Sequence, residues 1–189
     1  MSTPALALGG RVRIEALTIE HTQEFLAAVR RSRHLHGRWV SPPVTELGFR
    51  QYVEARQGPV AYGYVVRAEE GGLAGTINLN GVIRGLLQSA FLGYYAFAPF
   101  NERGYMGEGL ARVVRLAFQH HRLHRLEANI QPENARSIAL VKGAGFRLEG
   151  FSPRYLKIAG RWRDHERWAL TLEDWRDSRS RIQSQVELK

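Results

Sequence analysis

The sequence predicts a single mixed α/β domain in which short strands outnumber helices. Its 189 residues are an ordinary length for one domain. Hydrophobic residues make up 44% and charged residues 24%, which is typical of a globular chain and not of a disordered one. Several β-rich segments recur, and segments with three-and-four apolar spacing separate them. We expect one domain over residues 1–189, with a core at about 10–176 and a polar tail at 177–189.

The first half of the chain predicts two helices and four strands. Thr18 is a good N-cap for the first helix, whose apolar face carries Phe25, Leu26 and Val29 before arginines load its C-terminal end. Glycine and prolines at 34–44 indicate a loop ahead of a second helix, and the Glu-Glu-Gly-Gly run at 69–72 indicates a hairpin turn. In order, the elements are strand Val12 to Ala16, the first helix, helix Glu46 to Gln57, and strands Tyr62 to Ala68, Leu73 to Val82 and Ser89 to Ala98.

The second half predicts the longest helix, at about Tyr105 to His121, with Met106, Leu110 and Val113 on its apolar face. Asn134 is a good N-cap for another helix, which ends at Gly145 in a left-handed cap. The remaining segments are strands Arg125 to Ile130, Phe146 to Phe151, Tyr155 to Ile158 and Arg161 to Leu172. Since the last strand ends the chain, we treat it as an edge through which a homodimer would form.

Composition narrows the classes of function. A formal charge of +9, from 27 Lys and Arg against 18 Asp and Glu, favours an anionic partner such as nucleic acid or a phosphate ester. The absence of Cys excludes disulfides, thiolate metal clusters and a cysteine acyl intermediate. The N-terminus lacks the cationic start of a secretory leader, and no apolar stretch approaches about 18 residues. We expect a cytoplasmic protein with no membrane partner.

A glycine-rich segment between a strand and the longest helix is the most informative motif. It runs Asn-Glu-Arg-Gly-Tyr-Met-Gly-Glu-Gly-Leu from Asn101 to Leu110. Glycines let the backbone approach a ligand, and the free N–H groups of a helix N-terminus suit a pyrophosphate. The alternative is that the glycines only help the helix to start. The Lys and Ser or Thr of a Walker loop are missing, and the dinucleotide fingerprint does not occur.

Four segments together resemble the GNAT acetyltransferase superfamily, and within it the RimJ and RimL type ribosomal-protein N-terminal acetyltransferases. They are AFLGYYAF, NERGYMGEGL, HRLEANIQPENARSIALVKGAGFRLEG and RWRDHERWAL. The resemblance runs from about Val12 to Trp175. It implies an α/β (α+β) fold, with a mixed, mostly antiparallel sheet of about seven strands, flanking helices and splayed fourth and fifth strands. Acetyl-CoA would lie in that gap, and no metal is implied.

The resemblance also implies where acetyl-CoA is held. Its pyrophosphate would meet the N–H groups of Arg103 to Gly107, its acetyl carbonyl those near Ala96 to Ala98, and its pantetheine arm Asn134. Asn101 and Met106 depart from the family's loop pattern, whereas its essential glycine is present. Arg112, Arg136 or Lys142 could meet the phosphates. The expected cofactor-binding set is Ala96, Phe97, Ala98, Asn101, Arg103, Gly104, Tyr105, Met106, Gly107, Asn134, Ser137 and Lys142.

Two residues are candidates for the catalytic acid. By the resemblance, Ser137 would protonate the departing thiolate, and Tyr155 ranks second. Helix capping alone would also explain the Asn134 and Ser137 pair. Arg154 stands where some relatives carry a carboxylate base. The base therefore stays open, and a water relay to backbone, Glu127 or Glu149 is an alternative.

Three further groups have a plain structural explanation. Asp164 and His165 are neighbours on a strand, so they point to opposite faces and cannot form a dyad, and at most one of them faces the site; we expect His165 on the strand surface, with a direct role as the alternative. His120 and His124 have the spacing of metal ligands, but histidines near a helix C-terminus are favourable anyway. The basic residues at 30–38 with Trp39 resemble a nucleic-acid contact, a solvated helix end, or, as in RimJ-like relatives, the border of the acceptor cleft.

The resemblance, with the absence of Cys, thus implies an acetyl-CoA-dependent N-acetyltransferase that transfers acetyl directly to a primary amine. By resemblance the acceptor is the N-terminal α-amine of a ribosomal protein, with ribosome association. An α-amine has a pKa near 7.7–8.0, against about 10.4 for Lys, so more of it is neutral at pH 7. The alternatives are a small-molecule amine and a non-catalytic RNA-binding module.

Overall fold

The computed structural model describes residues 10–178, which form one seven-stranded sheet with helices on both faces. The order across the sheet is β1-β2-β3-β4-β5-β7-β6, and every neighbouring pair is antiparallel except β4 with β5. The strands are β1 Val12–Ala16, β2 Tyr62–Ala68, β3 Leu73–Ile83, β4 Ser89–Ala96, β5 Arg125–Ile130, β6 Arg147–Ile158 and β7 Arg161–Thr171. The predicted mixed, mostly antiparallel sheet is confirmed.

The helices α1 to α5 flank the sheet: α1 Thr22–Arg31, α2 Arg33–His36, α3 Glu46–Glu54, α4 Tyr105–Arg115 and α5 Ala135–Gly143. A 3₁₀ turn at Ile19–His21 precedes α1, a π-helical turn at Leu116–His120 continues α4, and residues 172–178 are helical. On one face α4 contacts β1, β2 and β3, and α5 contacts β5. On the other face, α1 and α3 bury Phe25 and Phe49 against Phe97.

Close backbone approach explains one glycine of the 101–110 segment without any ligand. A Cβ on Gly109 would lie 2.8 Å from Val66 Cγ2. Gly109 is therefore needed for α4 to rest on β2, because core side chains leave no room for an added methyl group. Within residues 10–178 no helix is long and apolar enough to cross a membrane.

The sheet opens between β4 and β5. These parallel strands pair only where Ser89, Ala90 and Phe91 face Arg125, Leu126 and Glu127. Beyond that point the rest of β4 pairs with β3 alone, up to Ala96 opposite Gly75. The predicted splay is confirmed, and the N-termini of α4 and α5 follow the ends of these two strands.

Several expected boundaries differ. Strand β6 is continuous from Arg147 to Ile158, although a break was expected around Pro153. It is an edge strand with a register shift between Ser152 and Leu156, where a proline removes no necessary ladder bond. The expectation that the last strand is an edge is wrong, because β7 lies between β5 and β6. Helix α2 lies in the expected loop, and α3 ends at Glu54.

Candidate active site

A cavity of about 490 Å³ lies in the gap between β4 and β5. The end of β4, the loop before α4, the first turns of α4 and α5, and α2 surround it. We call it the cofactor-side cavity. Of the expected cofactor-binding residues, those that line it are Ala96, Asn101, Gly104, Met106, Gly107, Asn134 and Ser137. The fold therefore brings together, around this cavity, expected residues from three separate segments of the sequence.

The N-terminus of α4 presents unpaired amides to this cavity. Gly104 is the N-cap, with φ of +85°, and its carbonyl accepts a hydrogen bond from Glu108 N at 3.1 Å. The first-turn amides that follow have no intrahelical partner, and the helix dipole favours an anion in front of them. A Cβ on Gly104 would lie 2.8 Å from Arg11 Nη2, whereas one on Gly107 would meet nothing within 4 Å. The two glycines therefore differ: Gly104 is required by the backbone conformation, whereas Gly107 leaves open space beside the first turn of α4.

Arg11 supports the loop from the side. Its Nη1 donates to the carbonyl of Arg103 at 3.0 Å, and its Nε donates to Glu108 Oε1 at 2.7 Å. The Tyr105 ring lies beneath the guanidinium groups of Arg11 and Arg103, at 5.0 and 5.6 Å, and its hydroxyl donates to Glu70. Tyr105 thus directs its side chain away from the cavity and offers a ligand only its amide.

Met106 occupies the position at which the family's loop pattern has a small residue. Its side chain is buried, and its sulfur packs directly against Gly75, leaving no room for a Cβ on that glycine. The larger side chain is therefore accommodated by the sheet beneath it.

At the end of β4, one of the three expected amides faces the gap. Phe97 N donates to Ala74 O at 2.8 Å, and Ala98 N donates to Ser32 Oγ at 2.9 Å. Because antiparallel hydrogen bonding alternates along a strand, Ala96 turns its N–H and C=O away from β3. The Ala96 carbonyl accepts from His36 Nε2 at 3.0 Å, which agrees with that direction.

His36 fixes α2 to the end of β4. It was expected within a solvated basic run, but it is buried and lines the cofactor-side cavity, so that expectation is wrong for this residue. Burial lowers its pKa, and the contact with the Ala96 carbonyl, which only accepts, requires a proton on Nε2. The other basic residues, Arg30, Arg31, Arg33, His34 and Arg38, are exposed.

The side chains of Ser137 and Tyr94 meet across the gap. Asn134 caps α5, its Oδ1 accepting from Ser137 N at 3.2 Å, which confirms the predicted N-cap. The Ser137 and Tyr94 hydroxyls are 2.6 Å apart. Burial raises the pKa of Tyr94 to about 12. Sequence reasoning missed Tyr94, since nothing in a strand residue signals a partner 43 positions away.

A second cavity, of about 410 Å³, shares Trp39, Asn134 and Ser137 with the first. We call it the acceptor-side cavity. Its other lining residues are Asn80, Phe91, Leu92, Gly93, Asn129, Ile130, Gln131, Tyr155, Leu156, Ile158 and His165. Tyr155 therefore lies on this side. None of the described residues that line it is Asp or Glu; Glu133 and Asp164 line a separate polar depression beside it.

Glu127 and Glu149, the two carboxylates expected as alternatives for a proton relay, lie outside both cavities. Glu127 pairs with Arg125 at 2.8 Å, and Glu149 also pairs with Arg125. Hydrogen bonding from Arg125 lowers the pKa of Glu149. Neither glutamate is among the described residues lining the two cavities. Arg154 is exposed, and its backbone N donates to Asp164 Oδ1 at 2.7 Å.

Of two cations expected to meet the phosphates, Lys142 lies outside the cofactor-side cavity and Arg136 lines it. Lys142 is near the end of α5, with its Nζ 5.3 Å from the centre of the Trp168 ring. Arg136 pairs with Glu102, and both line the cavity. The expectation of a surface position for His165 is wrong, because only 2% of this residue is exposed.

The histidines near the end of the long helix have partners of their own. His124 pairs with Glu173 at 2.9 Å, and the buried His121 contacts the Tyr64 hydroxyl. Among residues 10–178, no three His, Cys, Asp or Glu side chains cluster in a way that could hold a metal ion.

Comparison with known proteins places this arrangement in a family. The family model described as "Acetyltransferase (GNAT) domain" matches residues 11–147. The chain belongs to the GNAT acetyltransferase family. Within it, the [ribosomal protein uS5]-alanine N-acetyltransferase of Escherichia coli is 36% identical over 124 residues, which cover 66% of this chain and 64% of that enzyme. The match thus spans just under two thirds of the length of that curated relative.

Solved GNAT structures have the same fold. Mycobacterium smegmatis RimJ in complex with CoA-disulfide superposes with a TM-score of 0.79 at 25% identity, covering 86% of this chain and 83% of that one. Spermidine N-acetyltransferase from Vibrio cholerae, in complex with CoA and spermine, superposes with a TM-score of 0.75, covering 88% and 99% of the two chains. At 17% identity, this second likeness shows the fold alone.

Proposed function

We propose that this chain transfers an acetyl group from acetyl-CoA directly to the N-terminal α-amine of a polypeptide. The observation that carries the proposal is the pair of cavities that meet at Ser137 in the β4–β5 gap. Two substrates can enter from different sides and react where the cavities join. Family membership and the names of the relatives support this chemistry. The chain contains no Cys, which supports transfer without a cysteine intermediate.

The cofactor side has donors suited to acetyl-CoA. The first-turn amides of α4, at Tyr105 to Gly107, would hold the pyrophosphate beside the open space at Gly107. Asn134 uses its Oδ1 as the helix cap, which leaves its Nδ2 group to donate to the pantetheine arm. Acetyl-CoA, when bound, supplies the acetyl group as a thioester.

The chain's own groups would then act by positioning and polarisation. The Ala96 N–H, which faces the gap, would donate to the acetyl carbonyl oxygen as charge develops on it. Ser137 would donate its hydroxyl proton to the departing sulfur, and the Tyr94 hydroxyl would hold Ser137 in place and replace that proton. Tyr155 stays the second candidate for the acid, on the acceptor side.

The lining of the acceptor-side cavity favours an α-amine over a polyamine. A polyamine carries several positive charges, and buried charges need paired carboxylates. The described lining contains no carboxylate; its side chains are apolar or amide groups, together with Ser137, Tyr155 and His165. A peptide α-amine becomes neutral more readily than an alkylamine, and once it has lost its proton it needs no counter-charge.

The exposed arginines near Trp39 support a ribosomal acceptor. Arg30, Arg31 and Arg33 are exposed on the segment that leads to Trp39, which lines both cavities. A basic surface at the entrance would bring the enzyme to a particle rich in RNA, where protein N-termini are presented. An RNA-binding module without catalysis is the alternative based on the same charge.

A competition of acceptors tests the proposal. Peptides that begin with Ala, Ser or Met, the same peptides with a blocked α-amine, a peptide with an internal Lys, and spermidine are each incubated with acetyl-CoA. Thiol release and product mass are measured. We expect acetylation of free α-amines only. Acetylation of spermidine or Lys alone would assign a small or side-chain amine; salt-dependent RNA binding with no thiol release would support the non-catalytic module.

A further inference from the structure

His165 is a buried titratable group that the proposed reaction does not yet use. It lies on β7, is 2% exposed, and lines the acceptor-side cavity together with Tyr155 and Ser137. The centres of the His165 and Tyr155 rings are 5.9 Å apart. A buried imidazole that lines a cavity is available to a ligand but shielded from bulk water.

A backbone contact defines the tautomer of this ring. His165 Nδ1 lies 2.9 Å from the carbonyl oxygen of Arg163. A carbonyl only accepts, so Nδ1 carries the proton, and in the neutral ring Nε2 is left with a lone pair. Within residues 10–178, no hydrogen-bond partner engages that nitrogen. The ring therefore presents an unused acceptor beside the cavity.

A second unused acceptor lies in the same lining. Asn129 Oδ1 is buried without a hydrogen-bond partner among the described residues. Buried polar atoms are normally hydrogen-bonded, so an orphan acceptor points to a donor that binds there. Asn129 stands opposite Arg167 in the pairing of β5 with β7, and His165 is two residues before Arg167, so the Asn129 and His165 side chains share one sheet face. An ammonium group has three N–H donors and no acceptor, which complements such a pair.

We propose that Asn129 Oδ1 and His165 Nε2 receive the acceptor ammonium and that His165 takes its proton. The inference rests on the proposed acetyl transfer. The proton passes from the acceptor nitrogen to Nε2, which gives the neutral amine a lone pair. The N–C bond then forms as the C–S bond breaks, the sulfur takes a proton from Ser137, Ser137 regains one from Tyr94, and the second amine proton returns through water to Tyr94, while His165 later releases its proton to solvent. His165 is thus the base, a role that the resemblance gives in some relatives to a carboxylate at the position of Arg154.

The charged groups around His165 are few. Tyr155, from β6, is the other titratable side chain among the described residues lining the cavity. On β7, Arg163 and Arg167 share the face of His165, and Asp164 takes the opposite one. From the β5 side, Gln131 is neutral, and Glu133 lies in the adjoining depression. No described carboxylate thus stands in the cavity to perform the same task.

The first test compares pH profiles. His165→Gln keeps side-chain polarity but cannot take a proton, and it should lower kcat/KM with an α-amine peptide by about 10²-fold or more. It should also remove the acidic limb of the kcat/KM profile, which a purely structural role would not do. Imidazole added to His165→Ala should restore part of the rate. The matched control is His124→Gln, an exposed histidine paired with Glu173, which should keep both rate and profile.

A second measurement does not depend on a variant folding. In the full-length parent labelled with ¹⁵N-histidine, the His165 ring should show a protonated Nδ1 and an unprotonated Nε2. Acceptor peptide added without acetyl-CoA should shift the Nε2 resonance, whereas the same peptide with an acetylated α-amine should not. A proton on Nε2 of the neutral ring, or no shift with the free peptide, would overturn the assignment.

The outcomes separate this inference from the proposed function. Calorimetric titration of acetyl-CoA into His165→Gln should match the parent, because the cofactor side is intact. A parent that acetylates peptides and a His165→Gln variant with the same rate and profile would overturn the role of His165 and leave the function standing. A parent that neither binds acetyl-CoA nor acetylates would overturn the function, and this role with it.

Discussion

The hydroxyl of Tyr94 lies 2.6 Å from the hydroxyl of Ser137 and joins β4 to the first turn of α5 across the opened sheet. This contact lies where the cofactor-side and acceptor-side cavities meet. If Ser137 is the catalytic acid, the Tyr94 phenol holds the Ser137 hydroxyl in place and can return the proton that Ser137 gives away.

Replacing the serine or its partner should slow the chemical step. We expect Ser137→Ala to lower kcat by about 10²-fold, the lower end of the range for a lost acid. Tyr94→Phe should cost less, and the double variant should resemble Ser137→Ala because the two groups act as a unit. Single-turnover kinetics measure this. Equal rates for parent and double variant, with Tyr155→Phe strongly impaired, would assign the acid to Tyr155.

The two glycines of the α4 entry should respond differently to alanine. Gly104→Ala places a Cβ at a φ of +85°, so it should destabilise the fold by about 1–2 kcal/mol. Gly107→Ala meets nothing within 4 Å and gains helix propensity of about 1 kcal/mol, so its fold should be as stable as the parent or more so. Gly107→Ala should nevertheless bind acetyl-CoA more weakly, because its methyl group fills the space before the amides. Thermal unfolding and calorimetry separate the effects; unchanged affinity in Gly107→Ala would place the phosphates elsewhere.

Glu102 and Arg136 should act on cofactor binding and hardly on stability. Both are exposed, and surface pairs contribute only about 0–1 kcal/mol. Glu102→Gln removes a negative charge beside the phosphate site and frees Arg136, so we expect a few-fold tighter binding of acetyl-CoA. Arg136→Gln should weaken it. Titrations at two salt concentrations should show both effects shrinking as ionic strength rises. Opposite signs would mean that Arg136 does not meet the phosphates.

Below neutral pH, His121 should make the fold less stable. Burial lowers its pKa to about 4, while the unfolded chain has a value near 6.5. Between these values the unfolded state binds the extra proton, so the free energy of unfolding falls as pH drops from about 6.5 to 4. The loss is on the order of 3 kcal/mol. Denaturant unfolding of the parent and His121→Gln at several pH values measures this; parallel curves would show that His121 does not contribute.

Elements with local signals could be predicted from the sequence. Strand Tyr62–Ala68 has the predicted bounds, because a glycine pair and an apolar run mark its end and interior. The cap at Asn134 and the left-handed Gly145, with φ of +89°, follow from residue type alone. The splay between β4 and β5 came through the family resemblance, since no local pattern encodes where two parallel strands separate.

The remaining features depend on contacts between distant segments. Alternation along β7 placed Asp164 and His165 on opposite faces, but only the position of β7 between β5 and β6 decides that His165 is buried. The burial of His36 could not be predicted from the basic segment around it, because it depends on a contact with the Ala96 carbonyl, 60 residues away. The break expected at Pro153 did not occur because β6 is an edge strand, a fact of topology that the local sequence does not contain.

The central claim is that the α4 entry binds acetyl-CoA, and thermal unfolding with excess acetyl-CoA, with NAD as the control, tests it most directly. At about 100 times its Kd, a ligand adds roughly 2.7 kcal/mol, which for this chain length raises Tm by about 5–10 °C. We predict that rise with acetyl-CoA, a smaller one in Gly107→Ala, and none with NAD. A folded sample whose Tm does not change with acetyl-CoA, or changes equally with NAD, would contradict the claim.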